Sequence, residues 1–124
     1  MTTLRTTTDA DGVMTVWLDV PDKGVNAISP QVLQQDGFVH GGVLSYLADN
    51  ALTYAGGSVL GKVLTSEFKI NYVRPAMNGD RLVAVATVLG SGKTQAVCRC
   101  DVFVATGSDR KLCAAAQGTI RKAS

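Results

Sequence analysis

The chain has 124 residues, 46% of them hydrophobic, a formal net charge of +2 and three cysteines. That length fits one domain with a core of its own, needing no disulfide staples. Lys and Arg are scattered rather than striped, which disfavours nucleic acid but suits a small anionic ligand. An apolar run of about 18 residues is missing, and Met1–Thr8 carries no hydrophobic leader core, so a cytoplasmic protein with no membrane partner is expected.

In chain order, residues 3 to 8 and 13 to 20 are rich in Thr, Val and Trp and flank Asp9-Ala10-Asp11-Gly12, the pattern of a β-hairpin. Pro21-Asp22-Lys23-Gly24 breaks that pattern, and a short helix is expected around Pro30 to Gln34. From Gly42 to Ala55, the residues Val43, Leu44, Leu47, Ala48, Ala51, Leu52 and Ala55 recur at helical spacing, with Ser45, Asp49 and Thr53 as a polar stripe. Gly56-Gly57 is expected to close this helix as a C-cap pair.

The period then changes to that of strands near 63 to 74, 80 to 90, 94 to 106 and 111 to 121. Four strands in succession predict an antiparallel meander, and the helix must bury its apolar face in the curved sheet so formed, an α+β architecture. Cys98 and Cys100, two apart on one strand, point the same way and cannot bridge each other; they read as reduced core residues. Ser91-Gly92-Lys93-Thr94 lacks the full spacing of a phosphate-binding loop.

The chemistry concentrates at His40-Gly41-Gly42, where the chain's one histidine and two glycines open the helix. First-turn N–H groups have no partner within the helix, and glycine lets a ligand approach them closely. Asp49 is the one acid on this helix. From His40 it lies nine residues on, roughly 13 Å along the axis, too far for both to serve one atom. A site using both must draw Asp49 from a second helix, and a second copy of the chain is the simplest source. His40 itself is disfavoured as a protonated base, because the positive end of the helix dipole opposes imidazolium; an orienting role remains.

The run Gly37-Phe38-Val39-His40-Gly41-Gly42, then Leu47-Ala48-Asp49-Asn50-Ala51, Phe68-Lys69-Ile70-Asn71-Tyr72-Val73-Arg74-Pro75-Ala76 with Gly79-Asp80, and Ala116-Gln117-Gly118-Thr119 resembles the hotdog-fold acyl-CoA thioesterases, specifically the phenylacetyl-CoA thioesterase (PaaI) branch. The resemblance covers about residues 34 to 122, and residues 34 to 124 are the expected catalytic unit. It implies a long central helix wrapped by an antiparallel sheet, homodimers with shared active sites, and homotetramers built from two dimers. It also implies an acyl-CoA substrate, with the carbonyl polarised by the Gly41 or Gly42 amide and Asp49 of the facing subunit acting as base or as nucleophile. Gln34, six positions before His40, takes the place of an amide that positions the reacting groups, in the form found in aryl-CoA thioesterases. Thr53 and Thr65 are further substrate-site candidates.

Such chemistry requires no cofactor and no metal, since coenzyme A arrives with the substrate and its thiol leaves readily. Its phosphates call for cations, and Arg74, Lys93 and Arg110, with Lys62, are the candidates. Residues 1 to 33 depart from the thioesterase pattern: Gly12–Pro21 with Val25–Ser29 resembles the opening segment of a crotonase, although the chain is too short for that fold's catalytic loops. A non-catalytic protein that binds acyl-CoA in a regulatory role is the alternative function; a carboxylate at the thioester argues for hydrolysis.

Overall fold

The computed structural model describes residues 4–8, 13–19, 41–76 and 81–123. The elements are β1 (Leu4–Thr8), β2 (Met14–Asp19), α1 (Gly41–Leu60), β3 (Val63–Tyr72), β4 (Arg81–Ser91), β5 (Gln95–Thr106) and β6 (Asp109–Lys122). The strands form one six-stranded sheet in the order β1-β2-β4-β5-β6-β3, and every pairing is antiparallel. The expected hairpin is present as β1 and β2; its turn, and the short helix expected around Pro30 to Gln34, lie outside the described residues.

The meander needs correction. β4, β5 and β6 follow one another, but β3 does not pair with β4; it pairs with β6 at the far edge. Tight connections such as Gly107-Ser108 join neighbouring strands, whereas the link from β3 to β4 is longer and contains Pro75, which cannot donate to a ladder. The end of β3 is held against β6 instead, because the Cys113 carbonyl accepts hydrogen bonds from Val73 N (2.8 Å) and Arg74 N (3.2 Å).

Helix α1 packs on β2 to β6. Leu44, Leu47, Ala48, Ala51, Leu52, Ala55 and Gly56 form its buried face, at the spacing of one helix stripe. Ala84 and Ala86 on β4, Ala96, Cys98 and Cys100 on β5, and Ala114 and Ala116 on β6 meet it. These side chains are small, so the sheet can close around the helix, and buried leucines such as Leu47 and Leu52 each stabilise the fold by about 1.5–3 kcal/mol. The cysteines serve as compact apolar filling: Cys98, Cys100 and Cys113 are buried and form no disulfide. Burial, then the charge of Asp101, then Cys113 push the Cys100 thiol up to about 12, so it stays protonated and unreactive at neutral pH. Among the described residues no helix is long and apolar enough to cross a membrane.

The helix runs 20 residues, through Gly56-Gly57 rather than stopping there. Its cap is Gly61, whose φ of 89° lies in the left-handed region and whose N–H donates to the Gly57 carbonyl at 2.9 Å. Gly56 has a packing role instead. A Cβ there would sit 2.5 Å from Ile120 Cγ2 and 2.7 Å from Ile120 Cβ, whereas one on Gly57 would meet only Val63 Cγ2 at an ordinary 3.7 Å.

Neighbouring substitutions should therefore differ in sign. Gly57→Ala gains up to about 1 kcal/mol of helix propensity. Gly56→Ala gains the same, but overpacks stiff, β-branched Ile120 at a cost of about 1–3 kcal/mol, for a net loss. Urea denaturation of the two variants reads this directly, and a stabilised Gly56→Ala would refute the packing role.

Candidate active site

The site is framed by one helix and one edge strand. From β3, the Thr65 hydroxyl donates to Asp49 Oδ1 at 2.5 Å, which fixes the carboxylate of the half-buried Asp49 against the sheet. Seven residues on, Tyr72 reaches the N-terminus of α1, where its hydroxyl donates to the Gly41 carbonyl at 3.1 Å. Simple alternation would place Thr65 and Tyr72 on opposite faces of the strand, since side chains repeat every second residue. A β-bulge changes this: Thr65 pairs with Ile120 and Glu67 with Thr119, leaving Ser66 as the extra residue. Thr65, Phe68, Ile70 and Tyr72 thus all sit opposite core-side residues of β6, namely Ile120, Gly118, Ala116 and Ala114.

Gly118 makes room for the bulge. A Cβ there would lie 2.5 Å from the Glu67 carbonyl oxygen and 2.5 Å from Phe68 Cβ. The bare Cα of Gly118 therefore leaves room for the bulge after which β3 presents Phe68, Ile70 and Tyr72 on the same side as Thr65.

Gly41 and Gly42 occupy the first turn of α1, as expected, and the turn holds no acidic side chain. Their surroundings differ. A Cβ on Gly41 would meet the Tyr72 phenol at 3.3–3.4 Å, while none of the described residues lies within 4 Å of one on exposed Gly42. Ser45, Asp49 and Thr53 form the expected stripe and are each half-buried. The Thr53 hydroxyl, however, donates to the Asn50 carbonyl at 2.8 Å, so its proton is committed to the helix backbone. His40 and Gln34 lie outside the described residues.

The cation candidates do not converge. Arg74 is exposed at the helix N-terminal end and its Nη1 donates to the Leu112 carbonyl at 2.9 Å. Arg110 is near that end, in the β5–β6 hairpin opposite Ala105. Lys93 is on the turn at the other end of the sheet, next to Thr94, whose carbonyl accepts from Lys122 N, and near Lys62, whose carbonyl accepts from Ala123 N. Within one protomer, Arg74 and Lys93 cannot hold one phosphate group together. Among the described residues no cluster of three His, Cys, Asp or Glu side chains has the makings of a metal site.

Tyr72 was readable only as part of the Tyr-Val-Arg-Pro run; its link to the helix start depends on the bulge. Asn50, whose Nδ2 donates to the Tyr46 carbonyl at 2.8 Å, gives no signal of its own.

Compared with known proteins, residues 36–110 match the sequence profile of the thioesterase superfamily, more than half of the chain. The chain belongs to the thioesterase superfamily. The matched segment leaves out the N-terminal residues that depart from the thioesterase pattern. Acyl-coenzyme A thioesterase PaaI of Escherichia coli is 37% identical over 70 residues, 56% of this chain and 50% of that protein. A putative esterase of Deinococcus radiodurans is 32% identical over 90 residues, 73% of this chain and 60% of that protein.

The matches thus span half to three fifths of these two curated relatives. Among solved structures, the E. coli PaaI protein from the phenylacetic acid degradation operon superposes with a TM-score of 0.81 at 26% identity, covering 98% of this chain and 80% of that one. The smu.793 protein of Streptococcus mutans, bound to acetyl-CoA, has a TM-score of 0.79 at 23% identity over 96% of this chain and 87% of its own, a likeness of fold. The long helix laid on a curved antiparallel sheet is the hotdog fold of this superfamily.

Proposed function

We propose that the protein hydrolyses acyl-CoA thioesters, with aryl- or arylacetyl-CoA preferred, through a site built by two copies of the chain, with residues 34–124 as the catalytic unit. The observation that carries this reading is the carboxylate of Asp49, half-buried on the central helix and oriented by Thr65 at 2.5 Å. Hydrolysis begins with the thioester carbonyl oxygen accepting from the Gly41 or Gly42 amide. One well-aimed donor lowers the barrier by about 3–4 kcal/mol as negative charge develops on that oxygen. Asp49 then either removes a proton from the attacking water or attacks the carbonyl carbon to give an anhydride that water opens. In both routes the coenzyme A thiolate departs, with His40 and Gln34 orienting the reactants.

The two-copy site follows from distance. Gly41 and Asp49 are eight residues apart on one straight helix, about 12 Å, whereas reacting atoms must come within about 3–3.5 Å. Support for pairing comes from β3, an edge strand of the sheet with Leu64 and Tyr72 exposed and followed by exposed Val73, and from Tyr46, Tyr54 and Val59 exposed on the helix. An edge strand, unpaired on one side among the described residues, is a template for a second copy, and a back-to-back pair of such dimers would make a tetramer. The exposed tyrosine rings also suit an aromatic acyl group. Arg74 is placed for a phosphate of coenzyme A bound at the helix N-terminal end.

Release of free thiol from a panel of aryl-, arylacetyl- and straight-chain acyl-CoAs tests the activity; binding without release would favour the regulatory alternative. Subunit mixing tests the sharing. Asp49→Ala and Gln34→Ala proteins, each inactive, should regain about a quarter of wild-type activity after random exchange, because half the dimers are mixed and each mixed dimer has one intact site. No recovery despite proven exchange would place the whole site in one protomer.

A further inference from the structure

We propose that Tyr72 is a positioning residue for the reaction, aiming and polarising the Gly41–Gly42 peptide, whose N–H is that of Gly42, from a strand position 31 residues further along the chain. The proposal rests on the thioesterase reading above. It rests on one hydrogen bond and the close approach around it: the Tyr72 hydroxyl donates to the Gly41 carbonyl at 3.1 Å, and the tip of the phenol lies 3.3–3.4 Å from where a Cβ of Gly41 would stand.

Gly41 has no side chain by which the fold could hold it. The first turn of α1 carries no acidic residue to complement its amides, and those amides have no partner within the helix. An amide that must point at a developing oxyanion therefore needs an outside brace, and Tyr72 supplies one through both ring and hydroxyl. The brace has an electronic effect as well. The Gly41 carbonyl and the Gly42 N–H belong to one peptide unit, so a hydrogen bond accepted at the oxygen draws charge through the resonance and makes the N–H a stronger donor, by about 10–30% in cooperative chains. The same contact fixes the plane of the Gly41–Gly42 peptide and with it the direction of the Gly42 N–H. Each glycine of the pair then has its own reason: Gly41 fits against the tip of the phenol, while at exposed Gly42 none of the described residues comes within 4 Å of a Cβ built there.

Tyr72 is 54% exposed, more than a simple packing residue requires. A packing role alone predicts that Tyr72→Phe, which keeps the ring and loses the hydroxyl, leaves kinetics unchanged. A brace predicts otherwise. For an acyl-CoA that the wild-type protein hydrolyses, Tyr72→Phe should lower kcat about 3- to 10-fold with KM within about twofold, since the interaction strengthens as the oxyanion forms. Tyr72→Leu, which removes the ring contact too, should lower kcat further.

An independent readout is nuclear magnetic resonance of protein labelled at the Gly41 carbonyl carbon and the Gly42 amide. In Tyr72→Phe both resonances should move, the carbonyl carbon upfield, while thermal stability stays near wild type. Unchanged resonances, or wild-type kcat in Tyr72→Phe, would overturn the proposal. If the wild-type protein released no thiol from any acyl-CoA, the thioesterase reading would fall, and the two resonances would decide on their own whether Tyr72 polarises the peptide.

Discussion

Asp49→Asn is expected to reduce kcat by about 10²–10⁴-fold while acyl-CoA binding stays within about threefold of wild type. The asparagine keeps the shape of the side chain and an oxygen that can accept from the Thr65 hydroxyl, so the local contact at 2.5 Å survives and only the charge and basicity go. Loss of turnover at retained affinity, measured by thiol release beside titration calorimetry with a slowly hydrolysed acyl-CoA, is the signature of a group that acts in the transition state. Loss of both in equal measure would make Asp49 a binding or folding residue. Its position favours the first outcome: the carboxylate is half-buried on the polar stripe rather than on the solvent side of the helix, and the bond to Oδ1 leaves Oδ2 for water or the carbonyl carbon.

Gly118→Ala should destabilise the fold by about 2–3 kcal/mol, a loss of roughly 10 °C in Tm for a chain of this size. The added Cβ would strike the Glu67 carbonyl oxygen and Phe68 Cβ, both at 2.5 Å, and neither belongs to the far end of a flexible side chain. β3 must shift to accommodate it, and the strand carries Thr65 toward Asp49 at one end and Tyr72 toward Gly41 at the other. The folded fraction should for that reason also turn over more slowly, by about tenfold, a loss separable from unfolding by assaying well below the variant's Tm. A variant that melts and turns over like wild type would mean that the bulge at Ser66 does not depend on Gly118.

These two residues illustrate what was legible in advance. Asp49 stood out because it is the one acid on an otherwise apolar helix, at fixed spacing from His40-Gly41-Gly42, and spacing along a helix converts directly into distance. The same arithmetic that found the helix missed its end. Gly56-Gly57 has the composition of a cap, but Gly56 is spent on close approach to Ile120, and the chain stops the helix at Gly61, where a positive φ is required. Local sequence signals a glycine; it does not say whether the missing Cβ serves the backbone or a neighbour 64 residues away.

The linear pattern by itself determined the types of the described elements, the buried stripe of α1 from Leu44 to Ala55 and the reduced cysteines of the core, because each depends on the period of one local segment. Tertiary structure alone decided that β3 leaves β4 for the β6 edge, that one extra residue at Ser66 turns Thr65 and Tyr72 to the same face, and that Arg74 and Lys93 end far apart. These are matters of pairing between distant segments. A strand's alternation is fixed by its own residues, but its register and its partner are set by what the opposing strand has room for, here the bare Cα of Gly118.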